Sequence, residues 1–462
     1  MMLPIDTDIF PEKKRVYVVG GAIRDLLCGR PPVDYDLAVA TAPDIFAKVL
    51  AANTGGKAVT FGKHGHAIHR VVIGDCHFDI MPLNGKTIEQ DLLRRDFTIN
   101  ALAVEVSSGR LLDLTGGRRD IAVKTVRMVK PDVFRRDPVR LVRAYRMAAT
   151  FGFSIDKGTE AAITRDSSLI RNSAGERIRD ELFKILESAD SHAQLVSMAR
   201  TGLMLGIFPE LMRLNSCMSD VKQHDNLFEQ TLAAYRHLEN MLHSTPAEQP
   251  EFLDRPLKAL SVGDEAVLLK WSALFQHIGL PSARPATGSR SGLLNGHAAR
   301  SAAVSREICR RLRFSRRQSD TIEFIIRHHL EPFTIFKARQ EKSPADRGFI
   351  RFFMMCGDHT PAILLHALAG TMSRNTADAL SIQRFADFVA EGIDCFYSIL
   401  QPRAATPPPL NGNDLIKHFG LKPSAVFKEI LAALEEEHLA GEKFTREQAL
   451  ELVEKLLNKG TD

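Results

Sequence analysis

Two aspartates, Asp34 and Asp36, stand one residue apart in the stretch VDYDLA. Alternate side chains on a strand share a face, so both carboxylates point the same way. Two like charges that close repel until one of them holds a proton. A divalent cation removes the conflict: Mg²⁺ seeks oxygen ligands and takes one or two carboxylates together with substrate phosphates. Held there, such an ion activates a hydroxyl nucleophile and stabilises a leaving pyrophosphate. Asp79, in HFDIMP, is a candidate third carboxylate. The competing reading is a solvated edge strand that carries two aspartates, since D-x-D alone is a common pattern.

The residues ahead of the pair narrow the choice. VYVVGGAIRDLLCG reads as a short buried strand, a Gly20-Gly21 turn and a helix closed by Gly29. Glycines in a strand-to-helix turn let the backbone approach a triphosphate, and the helix N-terminus offers free N–H groups to anions. Arg24, one turn in, can add a charge-assisted contact. Strand, Gly-Gly, helix, Arg and then D-x-D is a far more specific arrangement than any one of its parts.

The elements that must position these groups follow from local pattern. AVTFG, AIHRVVIG and CHFDIMP read as further strands with turn residues between them, and TINALAVEV and LLDLTGG continue the series. From about residue 135 helical periodicity takes over, in ERIRDELFKILES, LFEQTLAAYRHLENML and VSREICRRLRF. Stretches 281–296 and 401–412 read as loops or linkers, and no internal repeat is visible. A length of 462 residues with 44% hydrophobic content supports more than one core. The net charge of +5 is mildly basic and concentrates in runs such as RRLRFSRR and VFRRDPVRLVRAYR, which is compatible with nucleic acid. Six scattered cysteines without a C-x-x-C pair indicate neither a zinc ribbon nor a disulfide framework, and a reducing, cytoplasmic compartment fits. The N-terminus has no apolar signal core, and no run of about 18 apolar residues could span a membrane.

GGAIRDLLCGRPPVDYDLAVATAP resembles the signature of the class II tRNA nucleotidyltransferase and bacterial poly(A) polymerase family. EQDLLRRDFTINALAVEV is similar to the family's second motif, while VFRRDPVRLVRAYRMAATFGFSID and ERIRDELFKIL resemble the third to fifth. The likeness covers about 1–215 and resumes in PPPLNGNDLIKHFGLKPSAVFKEIL and GEKFTREQALELV. It implies an α+β fold: a polymerase beta-like mixed-sheet head over 1–130, a helical neck over 131–215, an elongated all-α body over 216–400 and a helical tail over 401–462. It also implies Mg²⁺ on Asp34 and Asp36, with Asp79 as a further catalytic carboxylate. Gly21 and Arg24 match triphosphate contacts, and Arg95 a nucleotide-binding arginine; from its own spacing Arg95 could instead pair with Asp91 or Asp96 at the surface.

In RRDPVRLVRAYR, Asp137 is followed by Arg140, Arg143 and Arg146 at steps of three, which spread over one broad helix face. Asp137 directly before Pro138 also fits a helix N-cap. The resemblance implies that Asp137 and Arg140 read the base edge, a carboxylate accepting from an exocyclic amine and a guanidinium donating to a ring acceptor. Arg143 and Arg146 then serve as phosphate or positioning partners. Arg136 departs from the glutamate the family usually has there. The short connection between FDIMP and DLLRRDF is similar to that of members that add only C residues, and to that of other branches as well.

Region 220–330 resembles an HD-type phosphohydrolase domain with its ligands replaced: Gln230, Gln276 and His277 stand where His, His and Asp are expected. His297, His328 and His329 remain. Isolated histidines do not hold a metal tightly, so this region is expected to be a degenerate scaffold in which they serve helix packing or the surface. RRLRFSRRQ beside it is a candidate RNA-backbone contact or simply an exposed basic helix end. The implied function is template-independent addition of C and/or A to the tRNA 3′ end from CTP or ATP. Poly(A) polymerase and HD-type hydrolase are the alternatives.

Overall fold

The computed structural model describes residues 1–62, 67–212, 214, 218–220, 223–245, 250–280, 296–340, 346–374, 378–441 and 443–459. They form two compact units, Met1–Pro209 and Glu210–Asp462. No helix among them is long and apolar enough to cross a membrane.

The first unit is built on a seven-stranded sheet: β1 (Val16–Val19), β2 (Asp34–Val39), β3 (Lys57–Phe61), β4 (Ile68–Ile73), β5 (Cys76–Pro82), β6 (Leu102–Glu105) and β7 (Leu111–Asp113). Their order is β3-β4-β5-β2-β1-β6-β7. Within this sheet only the β2–β5 pair is parallel; every other pair in it is antiparallel. Alternation divides β2 between two environments. Tyr35, Leu37 and Val39 enter the main core with Val16, Val18, Phe78, Ile80, Phe46 and Leu50, and the Tyr35 ring stacks on Phe78 at 5.3 Å. On the opposite face Ala38 packs with Val19, Ile88 and Leu92. The short Ile88–Leu92 helix covers that end of the sheet. At the other end of the same face stand Asp34 and Asp36. Since β2 is the fourth of seven strands, the edge-strand alternative does not hold.

Downstream, helices Arg140–Phe151 and Gly175–Leu186 bury Leu141, Val142, Tyr145, Leu182 and Ile185. In the second unit, helices Leu227–His243, Glu265–Phe275, His297–Arg311, Arg316–His328 and Thr360–Met372 enclose Trp271, Tyr235 and Phe275. Lys270, 1% exposed, is neutralised by Glu239 at 3.0 Å. The expected linker 281–296 lies outside the described residues apart from Gly296. In 401–412, Gln401–Ala404 is helical and Leu410 is buried in a C-terminal core with Leu415, Ile430 and Val453, so that stretch is only partly a linker. Of the histidines, His328 lies half-buried against the Phe324 ring, as expected of a packing residue; the others differ from expectation. His277, His297 and His329 come together, with ligand atoms all within 4.8 Å of one another, and so are neither isolated nor on the surface.

Candidate active site

Strand register assembles the carboxylates. Asp36 is the parallel partner of Asp79, and Asp34 of His77; Asp79 in turn sits opposite Arg70 across the β4–β5 pair. Residues paired across a ladder share a face, so Asp34, Asp36, Asp79 and Arg70 all lie on the less covered face of the sheet. Each carboxylate has a different environment. Asp34 is exposed and meets His77 Nδ1 at 3.0 Å. Asp79 accepts a bidentate pair from Arg70, Nε and Nη2 both at 2.7 Å. Asp36 makes no hydrogen bond or ion pair among the described residues. Burial pushes its carboxyl up; Arg95 opposes this and Asp79 and Asp34 add to it. A half-buried carboxylate raised by two others and lacking a bonded donor fits an oxygen-seeking divalent cation. No such ion has to be assumed to explain the geometry.

The Gly-Gly turn closes over this face. Gly20 adopts φ +70°, ψ −120°, a region open in practice only to glycine. A Cβ on it would come within 2.6 Å of Arg95 Nη1 and 3.7 Å of Asp36 Oδ2. Gly20, Arg95 and Asp36 therefore meet at one point, and the chain then enters the helix at Gly21. Arg95 is held by Asp91 at 2.9 Å, as its spacing allowed, yet its far end still reaches the turn. Arg24 is fixed by Asp25 at 2.8 and 2.9 Å and by Asn100 at 2.7 Å, with its guanidinium 4.4 Å above the Phe151 ring. A built Cβ on Gly21 lies 3.5 Å from Arg24 Nη2, which places the arginine beside the turn. Gly21 and Arg24, the predicted triphosphate contacts, and Arg95, the predicted nucleotide-binding arginine, are thus brought together.

The basic helix forms a second cluster. It begins at Arg140 with Val139 as its cap, and no side chain caps it, so the N-cap reading of Asp137 does not hold. Asp137 instead takes two bonds from Arg177, at 3.0 and 2.8 Å, with Arg140 Nε at 3.8 Å. Burial works to raise its carboxyl, but Arg177, Arg140 and Arg143 outweigh burial and hold it below the usual range. Arg143 and Arg146 turn onto one buried carboxylate, Glu181, each at 2.8 Å. Arg143 also faces Asp96 at 3.5 Å. Burial would raise Asp96; Arg143, the Asn100 amide and the Phe97 N–H reverse that and lower it.

Arg177, Glu181, Asn100 and Arg70 were not singled out from the sequence. Arg177 and Glu181 lie within ERIRDELFKIL and Asn100 within DFTINALAVEV, so the motifs contained them without revealing their partners. Arg70 carried no signal, because its meeting with Asp79 depends on strand register. The basic run after residue 310 is mostly paired: Arg311 with Glu210 at 3.0 Å, Arg317 with Asp264 and Glu265 at 2.5 and 2.6 Å, and Arg310 with Glu307.

The Poly A polymerase head domain family model matches residues 16–86 and 75–127, and the probable RNA- and SrmB-binding site of polymerase A matches 152–214. An A-adding tRNA nucleotidyltransferase of Deinococcus radiodurans is 30% identical over 448 residues, covering 95% of this chain and 94% of that protein. A CC-adding tRNA nucleotidyltransferase of Thermus thermophilus is 29% identical over 450 residues, covering 95% and 93%. In fold, the chain resembles a CCA-adding enzyme in complex with ATP, with a TM-score of 0.65, 23% identity and 96% and 91% coverage. With the carboxylate face, the Gly-Gly turn and the arginine cluster all in one unit, and likeness extending nearly end to end, the chain belongs to the tRNA nucleotidyltransferase family.

Proposed function

We propose that this chain extends the tRNA 3′ end with C, A or both, without a nucleic-acid template. The terminal hydroxyl attacks the α-phosphate of CTP or ATP, its proton leaves, and pyrophosphate departs. The observation that carries this reading is the convergence of Asp34, Asp36 and Asp79 on one sheet face beneath the Gly20 turn and Arg95. A relative covered over 94% of its length, itself an A-adding enzyme, supports it.

The family uses a divalent metal; the all-oxygen donor set of Asp34 and Asp36 suits a hard cation, for which we take Mg²⁺, with Asp79 as a further candidate ligand. Bound there, the ion supplies a lower pKa at the attacking hydroxyl and neutralises charge on the pyrophosphate. The chain's own residues do the rest. Gly20 and Gly21 let the backbone come close to the triphosphate, and Arg24 and Arg95, each fixed by a neighbouring carboxylate, present their guanidinium groups beside it. Asp137 and Arg140 read the base. A carboxylate accepts from the exocyclic amine that both cytosine and adenine carry, and the guanidinium donates to the adjacent acceptor; uracil and guanine present the opposite polarity. Arg177 holds Asp137 ionised and in place. Arg143 and Arg146, both on Glu181, fix the helix that carries Arg140.

The test offers the purified protein three tRNAs, ending at the discriminator base, at C and at CC, with labelled CTP or ATP and Mg²⁺. Extension by two C residues, by one A, or through CCA identifies which bases this chain adds. Asp34→Ala and Asp36→Ala are expected to lose all products, a drop of at least about 10³-fold. Full activity in either variant, or growth of a long A tail on any RNA, refutes the reading.

A further inference from the structure

The second unit contains a group of side chains that the transferase reading does not use. His277 follows the Glu265–Phe275 helix, His297 opens the His297–Arg311 helix, and His329 follows the Arg316–His328 helix. Three helix ends thus deliver three imidazoles to one point. The rings lie 5.8, 6.4 and 5.5 Å apart between centroids, and His366, from the Thr360–Met372 helix, stands 5.4 Å from His329. His297, His329 and His366 are at most 2% exposed.

The tautomer of one ring is fixed. His329 Nδ1 lies 2.6 Å from the Ile326 carbonyl oxygen, which can only accept, so Nδ1 carries the proton. Nε2 then presents a lone pair, and this buried nitrogen has no hydrogen-bond partner among the described residues. A metal-bound histidine has this arrangement, its second nitrogen donating to a backbone carbonyl. His277 Nδ1 is likewise buried without a partner among the described residues. Leaving such atoms unsatisfied is costly. Burial, with His297, Arg374 and His366 adding to it, pushes His277 down to about 3, and burial takes His366 to about 4. Arg374 is among the groups acting on His277; its positive charge opposes that of a bound cation, which an anionic ligand in the remaining position would offset.

We propose that His277, His297 and His329 form a binding site for one divalent transition metal of the zinc class, with His366 or a solvent molecule as the fourth ligand. Three nitrogens on a tetrahedral ion with bonds of about 2.0–2.1 Å stand roughly 3.3 Å apart. From separations of at most 4.8 Å the rings reach that spacing by side-chain rotation. Among the described residues no carboxylate belongs to the group. All-imidazole ligation selects Zn²⁺, Co²⁺, Ni²⁺ or Cu²⁺ over Mg²⁺, so the site is distinct in chemistry from the carboxylate face of the first unit. It also lacks the acidic ligand of the hydrolase pattern that the region resembles, since His277 occupies the place where aspartate is expected. Such an ion clamps three helices together.

The experiment uses the untagged full chain, stripped with chelator and then titrated with Co²⁺. Visible d–d bands between about 500 and 650 nm should grow to one equivalent per chain, and Zn²⁺ should displace them. Saturating Zn²⁺ should raise the melting temperature by at least about 5 °C. His297→Ala and His329→Gln should each weaken Co²⁺ binding beyond the roughly 10–100-fold that loss of an outer partner costs. Asp34→Ala/Asp36→Ala should leave the bands unchanged, which separates this site from the catalytic one. Zinc absorption spectroscopy on the wild-type chain gives a readout that needs no variant: three or four nitrogen or oxygen neighbours at about 2.0–2.1 Å with imidazole scattering. Spectra no different from aqueous Co²⁺, or bands that persist in histidine variants with unchanged circular dichroism, overturn the proposal.

Discussion

Glu181 holds two arginines at once, and its replacement by glutamine gives a quantitative forecast. Arg143 Nε and Arg146 Nε both lie 2.8 Å from its two oxygens, and Glu181 itself is 6% exposed. Glutamine has the same shape but only one acceptor oxygen, and its NH₂ would face the second arginine donor to donor. Breaking a buried pair by removing one partner costs about 3–5 kcal/mol. The Arg143 side chain is 33% exposed, so solvent recovers part of that charge and the lower end, about 3 kcal/mol, is the better figure. For a folding unit of this size each kcal/mol moves the melting temperature by about 2–4 °C. Glu181→Gln should therefore melt the first unit about 9 °C earlier by calorimetry. Arg140, one turn before Arg143 on the same helix, should lose its position, with KM for CTP or ATP rising roughly tenfold, equivalent to about 1.4 kcal/mol. Adding Arg146→Met should recover more than half of the lost stability, because the stranded guanidinium is gone. A melting shift below about 2 °C with an unchanged KM refutes the clamp.

Asp137→Ala and Arg177→Ala should both raise misincorporation of U and G relative to C and A while the bond-forming step continues, read as product ratios on tRNA primers with each nucleotide; unaltered ratios count against base reading. Gly20→Ala places a methyl 2.6 Å from Arg95 Nη1 at φ +70° and should cost about 1–2 kcal/mol in backbone strain together with nucleotide affinity, measured by thermal melting and equilibrium binding. Asp96 and Asp137 are both held below their ordinary 3.8, so the stability they contribute is present above that pH and lost as pH falls through their lowered folded-state values; acid melting of Asp96→Asn should show a shallower loss. Asp36 is raised instead, so its ionised form opposes folding above the raised value. Asp36→Asn should melt later than wild type at neutral pH without metal, while making no product.

Asp34 and Asp36 were legible because strand alternation needs only local sequence, and the Gly-Gly turn because its positive φ demands glycine. What sequence could not convey was register. Nothing in AIHRVVIG says that Arg70 will lie opposite Asp79, because a shift of one residue would turn it to the other face. Asp137 shows a different limit. Its local rule, Asp before Pro at a helix start, was sound, but a bidentate partner 40 residues away overrode it. The histidines failed for the same reason in reverse: spaced across four helical segments, they look unrelated until packing brings their ends together.

The three acidic groups of the sheet face are not equivalent, and the difference bears on how the site works. Asp79 has both oxygens taken by Arg70 at 2.7 Å, a geometry that satisfies a carboxylate about as well as a protein can. To ligate a cation it would have to give up one of those bonds. Asp34 is exposed, and Asp36 carries a raised carboxylate with no bonded partner among the described residues, so these two gain most from a cation and lose least. Arg70 meanwhile cancels most of the charge that Asp79 would otherwise add beside Asp36. With that charge cancelled, a metal and a triphosphate meet a pair of carboxylates rather than a cluster of three. On this argument Asp79 with Arg70 sets the field and the shape beneath the pair, and its ligation depends on whether the incoming nucleotide draws Arg70 away.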